Sequence, residues 1–119
     1  MLVPEAQIGW ILDNDAALSA LIGSRIYPLV VPQDATRPAI AYQRISGPRT
    51  YSHDGPTIAF ARFQLTCEGN NYMQACQVAA AARVAMEHNG WHCANEQDSF
   101  PDIAGAPVKR MDFTQYYEE

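Results

Sequence analysis

The stretch that most constrains this chain is residues 57–67. There Ala59, Ala61, Phe63, Leu65 and Cys67 alternate with Phe60, Arg62, Gln64 and Thr66. A period of two marks a strand with one buried face, because successive side chains leave a pleated backbone on opposite sides. Residues 39–46 read as a second strand, with Ile40 and Tyr42 on one face and Ile45 on the other. Between them lies the polar run Gly47 to Pro56, in which Asp54-Gly55 supplies a turn signal. The two runs are expected to form a long hairpin with its tip at about residues 47–56.

Helical spacing flanks the hairpin. Pro4 suits a first helical turn, where its missing N–H costs nothing. Ile8, Ile11 and Leu12 recur at helical intervals, Asp13-Asn14-Asp15 interrupts, and Leu18, Leu21 and Ile22 resume until Gly23. The chain should open with a broken helix over about residues 4–22, its second part capped by Asp13 or Asn14. Arg25 to Pro38 is irregular, with Ile26-Tyr27 able to pair briefly as a strand. Gly69-Asn70-Asn71 starts a helix that runs to about Asn89 and stops at Gly90. Its main apolar stripe is Tyr72, Ala75, Val78, Ala79, Ala82 and Met86. Met73, Ala80 and Val84 form a second set elsewhere on the wheel, either part of a half-buried helix or a face that a neighbouring subunit covers. Trp91-His92-Cys93 begins a short strand, residues 95–105 read as a polar loop, and residues 108–117 close the chain as a strand with Met111, Phe113 and Tyr117 on one face.

The order α, β, β, α, β, β predicts an α+β fold: an antiparallel sheet of about four strands with helices packed on one face. The 119 residues are the size of one domain, taken here as residues 1–119. Eighteen of them are Ala, which carries little apolar area. The large apolar residues must therefore be well placed, or a partner must complete the burial.

A net charge of −5 argues against a nucleic-acid binder, which usually presents a basic face. Seven of the eight bases are Arg, a residue favoured at protein interfaces where Lys is depleted. No apolar run approaches the length of a membrane span, and the start of the chain lacks the basic and apolar regions of an export signal. Three cysteines without paired spacing read as reduced structural thiols.

No catalytic constellation emerges. His53-Asp54 are neighbours on a turn and rarely converge on one point. His92-Cys93 point to opposite faces if they lie on a strand. His88, His92 and Cys93 make a loose cluster without the spacing of a metal site. Glycines 23, 47, 55 and 69 are isolated, so no phosphate-cradling loop exists. The expectation is a binding or assembly module with no cofactor, no metal and no enzymatic activity.

One set of blocks narrows this. Ile22-Gly23-Ser24-Arg25-Ile26-Tyr27-Pro28, then Val31-Pro32-Gln33, then Pro38-Ala39-Ile40-Ala41-Tyr42-Gln43-Arg44-Ile45-Ser46-Gly47 resembles the small tail-completion or tail-terminator proteins of siphophage-type tailed phages. Asp54-Gly55-Pro56 followed by Ala61-Arg62-Phe63-Gln64-Leu65, an Ala-rich helix and Arg110-Met111-Asp112-Phe113 continue the resemblance, which covers about residues 10–117. Cys67-Glu68-Gly69-Asn70-Asn71 and the segment 91–105 depart from it. The resemblance implies a non-enzymatic phage or prophage protein in the tail or neck of the virion, made in the bacterial host cytoplasm. It further implies a ring, usually a hexamer, that caps the head-proximal end of the tail tube, stops its polymerisation and docks to head connector proteins. The expected partners are therefore copies of itself, the tail tube protein and a head connector or stopper protein, with no membrane and no sequence-specific nucleic acid, although DNA passes through such a ring. Another neck component, such as a head-completion or stopper protein, and a small cellular protein-binding adaptor are the other readings.

Within that frame the hairpin tip, with Arg49, Tyr51, His53 and Asp54, is expected to contact the tube or an adjacent subunit, since Tyr and Arg dominate interface energetics. The last strand, with Met111 and Phe113, is expected to close the ring by edge pairing, with Met73, Ala80 and Val84 as secondary contacts. An acidic lumen would repel DNA; Asp34, Asp54 and Glu96 are candidates to line it.

Overall fold

A computed structural model describes residues 3–46, 49–52, 55–99 and 107–118, with the backbone alone for 49–52, 55–59 and 117–118. The elements in chain order are α1 (Pro4–Asp13), α2 (Ala16–Ile22), β1 (Ile26–Pro28), β2 (Ala39–Ser46), β3 (Arg49–Ser52), β4 (Gly55–Glu68), α3 (Tyr72–His88), β5 (His92–Ser99) and β6 (Val108–Glu118).

The expected α+β class and the helices on one face are present, but the sheet is larger and mixed. Its order is β1-β2-β4-β6-β5, and β3 adds to β4 beyond the end of β2. It is an open sheet of five strand positions rather than an antiparallel one of about four. Two physical reasons account for the difference. The connection 29–38 is long enough to cross over the sheet, so β1 returns parallel to β2 instead of turning as a hairpin. At the other side, β5 extends through residues expected to be a loop. Its side chains are mostly exposed, so it carries no apolar alternation for a sequence reading to detect. Cross-strand chemistry holds it instead. Lys109 on β6 meets Asp98 at 3.4 Å and Glu96 at 3.8 Å, and Arg110 donates to the Ser99 hydroxyl.

β4 is the axis of the fold. It pairs with β6 without a slip from Ile58↔Glu118 to Glu68↔Val108. Its inner half, from Arg62 to Glu68, also pairs with β2, and its outer end, from Gly55 to Ala59, pairs with β3. At roughly 3.3 Å per residue, β4 runs about 46 Å. At 1.5 Å per residue, α3 runs about 26 Å. The strands therefore outrun the helical layer, and the molecule is elongated, 51 × 28 × 22 Å.

All three helices pack on one side. Ala61, Phe63, Leu65 and Cys67 of β4, Met111 and Phe113 of β6 and Ile40 of β2 face Ile8, Ile11, Leu12, Leu18 and Ile22 from α1 and α2 and Val78, Ala79, Ala82, Ala85 and Met86 from α3. The alanines of α3 let it approach the sheet closely, and the space is filled by the two buried phenylalanines and by Trp91, whose ring meets Phe63 edge-on at 5.7 Å. Tyr72, placed in this stripe by the sequence, is exposed, and Ala85 takes part in its stead. Local chemistry sets the helix ends. Asp15, rather than Asp13 or Asn14, caps α2 by accepting from the Leu18 N–H at 2.9 Å, and Asn14 instead ends α1 by donating to the Trp10 carbonyl. Asn71 caps α3 by accepting from the Gln74 N–H at 2.8 Å. Gly69 lets the chain turn into that cap, for a Cβ there would lie 2.6 Å from the Ala75 nitrogen.

Candidate interaction surfaces

Three surfaces merit comparison: the outer stripe of α3, the projecting end of the sheet, and the sheet face turned away from the helices.

On α3, Met73, Ala80 and Val84 are all exposed, as are Gln77 and Glu87 between and beyond them. The spacing of 73, 77, 80, 84 and 87 alternates four and three, which places them in one narrow seam along the helix. The sequence-derived contact face is thus an accessible one. At its start the Tyr72 hydroxyl donates to Asp98 at 2.7 Å, which ties α3 to β5. That bond pushes the phenol pKa up, and it holds the Asp98 carboxyl below its ordinary value.

The projecting end combines β3, the start of β4 and the end of β6. Arg49 and Tyr51 lie on β3, paired with Ala59 and Pro56 of β4, so the polar run expected as a hairpin tip is largely a two-stranded ribbon. His53 and Asp54 fall outside the described residues. Phe60 and Tyr116 mark the base of this ribbon, their rings 4.8 Å apart, and Tyr116 is 72% exposed.

Met111 and Phe113, expected at a ring contact, do not present their side chains at the surface of this chain. Both are fully buried, and where they lie β6 runs between β4 and β5; only its end, from Gln115 to Glu118, pairs with β4 alone. The apolar alternation that suggested an interface is the set of residues the helices cover. The outer strands of the main sheet order are β1 and β5, and at the projecting end the four-residue β3 and the last residues of β6 are outermost. β1 has only three residues and ends in Pro28, which leaves β5 as the longer open edge. Of the acids proposed for a lumen, Asp34 is exposed in the 29–38 connection, Glu96 is near Lys109, and Asp54 is outside the described residues.

The sheet face away from the helices was not singled out by sequence. Arg62, Gln64 and Thr66 of β4 and Arg110 and Asp112 of β6 belong to it, with Arg62 2.7 Å from Asp112 and Gln64 3.4 Å from it. The 29–38 connection lies over one end as a strap. Val31 beneath it joins Ala39 and Ala41 in a small second cluster with Tyr27 and Ala35. Arg37 fixes the strap: its guanidinium donates to Glu68 at 2.9 and 3.0 Å and to the Ala35 carbonyl at 2.8 Å, in a pair almost wholly removed from solvent. Between strap and strands lies a groove of about 240 Å³, lined by Leu29 and Val30 on the strap side and by Gln43, Gln64, Thr66 and Arg110 on the sheet. Leu29 and Val30 are 70% and 66% exposed, and Leu29 has a φ of 72°. That region is strained for a bulky side chain. The available signal was three adjacent apolar residues, Leu29 to Val31, between Pro28 and Pro32, with no period to tell the exposed pair from buried Val31.

Chemistry has little purchase on these surfaces. Burial pushes the Cys67 thiol up to about 12 and raises that of Cys93, so neither offers a thiolate at neutral pH. His92 is exposed while Cys93 is half-buried. Among the described residues no three of His, Cys, Asp and Glu converge as a metal site would need, and no helix is long and apolar enough to cross a membrane.

Comparisons with known proteins fit this picture of an assembly module. No curated protein matches the chain. Among solved structures it is similar to a chain from the virion of a native gene transfer agent particle, with a TM-score of 0.83 at 18% identity, covering 98% of this chain and 95% of that one. At that identity the likeness is one of fold. The model of the family described as tail completion protein gp17 matches residues 8–113, nearly the whole sequence, and the chain therefore belongs to the phage tail completion protein gp17 family.

Proposed function

We propose that the chain, acting as one domain, assembles into a ring, of six copies, that caps the head-proximal end of the tail tube. The ring stops tube polymerisation and presents a docking surface to a head connector or stopper protein. The observation that carries this reading is the family match over residues 8–113. The surfaces are of the kind such a role needs. A ring subunit must offer unlike patches to its neighbours and to the structures above and below it, because a head-to-tail contact is heterologous. This chain offers an exposed seam on α3 (Met73, Ala80, Val84), a projecting ribbon (Arg49, Tyr51, with His53 and Asp54 in its sequence) and a strapped groove. In this reading it works in the neck of a virion after synthesis in the host cytoplasm. A net charge of −5 suits a channel that DNA must pass without sticking.

Electron microscopy of purified protein with tail tubes tests the proposal. Rings seated at one end of each tube, with tube growth halted, are the expected result. Tubes that lengthen unchecked with no density at their ends would remove the capping role. Binding to head connectors without tubes would identify a stopper, and a stable monomer indifferent to both would identify an adaptor.

A further inference from the structure

The strapped groove and the far end of the same sheet are chemically complementary, and they cannot meet within one chain. The groove offers two exposed apolar side chains, Leu29 and Val30, beside the cation Arg110. Glu68 also lines it, but its carboxylate is opposed by Arg37 in a buried ion pair. Arg110 bonds the neutral Ser99 hydroxyl and has no carboxylate within ion-pair distance among the described residues. The other end of β6 has the opposite character: Tyr116, 72% exposed, then Tyr117, Glu118 and Glu119 in sequence. Arg110 and Glu118 lie on one strand, eight residues apart, and β6 pairs with β4 over this whole length without a slip. At roughly 3.3 Å per residue that separation is about 26 Å, and a paired strand does not fold back on itself.

We infer that the groove is the docking site for the Tyr116–Glu119 end of a second copy of this chain. Its aromatic side chains would cover Leu29 and Val30, and its acids would reach Arg110. This rests on the self-assembly reading above and gives it a specific contact. Each copy carries one donor end and one acceptor groove at opposite ends of an elongated molecule, so the contact is head-to-tail and repeats from copy to copy. It also gives the Leu29 conformation a role: the positive φ holds a large apolar side chain on the strap rim, where a glycine would satisfy the backbone and contribute nothing to a partner.

The test is charge exchange between copies. Wild type, Arg110→Glu and Glu118→Arg are compared by native mass spectrometry and sedimentation over a concentration series, free and with tail tubes. Each single variant should self-associate about tenfold or more weakly than wild type. An equimolar mixture of the two should recover association. The acidic groove of the Arg110→Glu variant then finds the basic strand end of the Glu118→Arg variant, while the unaltered groove of the second finds the unaltered acidic end of the first. An unfolded variant cannot be rescued in this way. Leu29→Gly is the second arm. It relieves the strained backbone, so its melting temperature should equal or exceed that of wild type while its self-association falls about tenfold. A Leu29 with only a structural role would give the reverse.

Single variants that assemble as well as wild type, or a mixture no better than its components, overturn this contact and leave the ring standing. Variants that assemble normally but lose the tail tube assign the groove to the tube protein and also overturn it. A rescued mixture that stops at two copies supports the contact and overturns the ring. A wild-type chain that stays monomeric at every concentration and on tubes overturns both.

Discussion

The two faces of the sheet are made from alternate residues of the same strands, yet they answer to different demands. Toward the helices stand Phe63, Leu65, Met111 and Phe113, all fully buried. Toward the other side stand Arg62, Gln64 and Asp112, linked by one ion pair and a hydrogen bond, and Arg110, which bonds Ser99 of β5. The first face holds the fold together through apolar area removed from water. The second contributes little to folding and is left free to specify contacts. The difference teaches that stability and assembly in this chain are separable by one step along a strand.

Neighbouring residues test that separation most severely. Phe63→Ala empties the site where β4 meets Trp91 and should cost about 3–5 kcal/mol of unfolding free energy, measured by urea denaturation. Arg62→Ala, one residue away, removes a half-exposed ion pair with Asp112 and should cost no more than about 1 kcal/mol. Comparable losses from the two substitutions would break the comparison.

The strap sharpens it, because there the outer face does carry a buried charge. Arg37 holds Glu68 with both side chains almost fully buried. Arg37→Ala removes the guanidinium that meets this buried carboxylate, and the expected loss is about 3 kcal/mol. The double variant Arg37→Met, Glu68→Gln should recover most of it, since it removes the buried charge whose desolvation the Arg37 pair offsets. Thermal unfolding of the single and double variants checks both expectations. An Arg37→Ala protein as stable as wild type would mean that the strap is not pinned by this pair.

The sequence made the helix-covered face legible because one buried side leaves a period in the apolar residues. Ile40, Ala61, Phe63, Leu65, Met111 and Phe113 declare their side by alternation, and Ala75, Val78, Ala79, Ala82 and Met86 do so at helical spacing. The outer face leaves no such trace. The residues of β5 are a strand through backbone pairing and through Lys109, neither of which is periodic, so the edge reads as loop. Arg37 and Glu68 are far apart in the chain, and nothing local announces their ion pair. The same limit misplaced Met111 and Phe113: an apolar strand face looks alike in sequence whether its own helices or a neighbour cover it. Met73, Ala80 and Val84 were legible because they stand outside the stripe that packs on the sheet. Leu29 and Val30 escape notice because they stand with buried Val31 in a run of three apolar residues between prolines, which has no period to separate them.

At the rim of the helix-covered face the attachment turns polar. Arg44 of β2 lies over the Phe63 ring at 5.0 Å and donates to both carboxylate oxygens of Glu5 on α1, at 3.0 and 3.1 Å. The hydrogen bonds from Arg44 hold the Glu5 carboxyl below its usual value of 4.5. A group whose folded pKa is depressed stabilises fully above its unfolded value and loses that contribution as pH falls through the folded one. Glu5→Gln should therefore cost at most about 0.5 kcal/mol at neutral pH, because the pair is partly exposed. Below about pH 4.5 the difference from wild type should shrink as acid removes the same bond. Melting temperature followed from about pH 7 to about pH 3 reads this out; a gap that stays constant or widens in acid would remove Glu5 as the clasp of α1.

The smallest expected effect on stability falls on α3, where the comparison recurs on a single helix. Ala79 is fully buried against the sheet, while Ala80 is exposed in the seam with Met73 and Val84. Met73→Ser with Val84→Ser removes apolar surface that already meets water in the isolated chain, so the melting transition should shift by the equivalent of about 0.5 kcal/mol or less. If the seam is covered in the assembled particle, the same double variant should cap tubes poorly, scored as the fraction of tube ends that carry density. The two readouts separate the roles. A large loss of stability would mean that the seam completes the core of the subunit. Unchanged stability with unchanged capping would mean that these residues are exposed apolar side chains without a partner, which single surface hydrophobes often are. Only unchanged stability with lost capping makes α3 a helix whose two stripes serve the subunit and the assembly in turn.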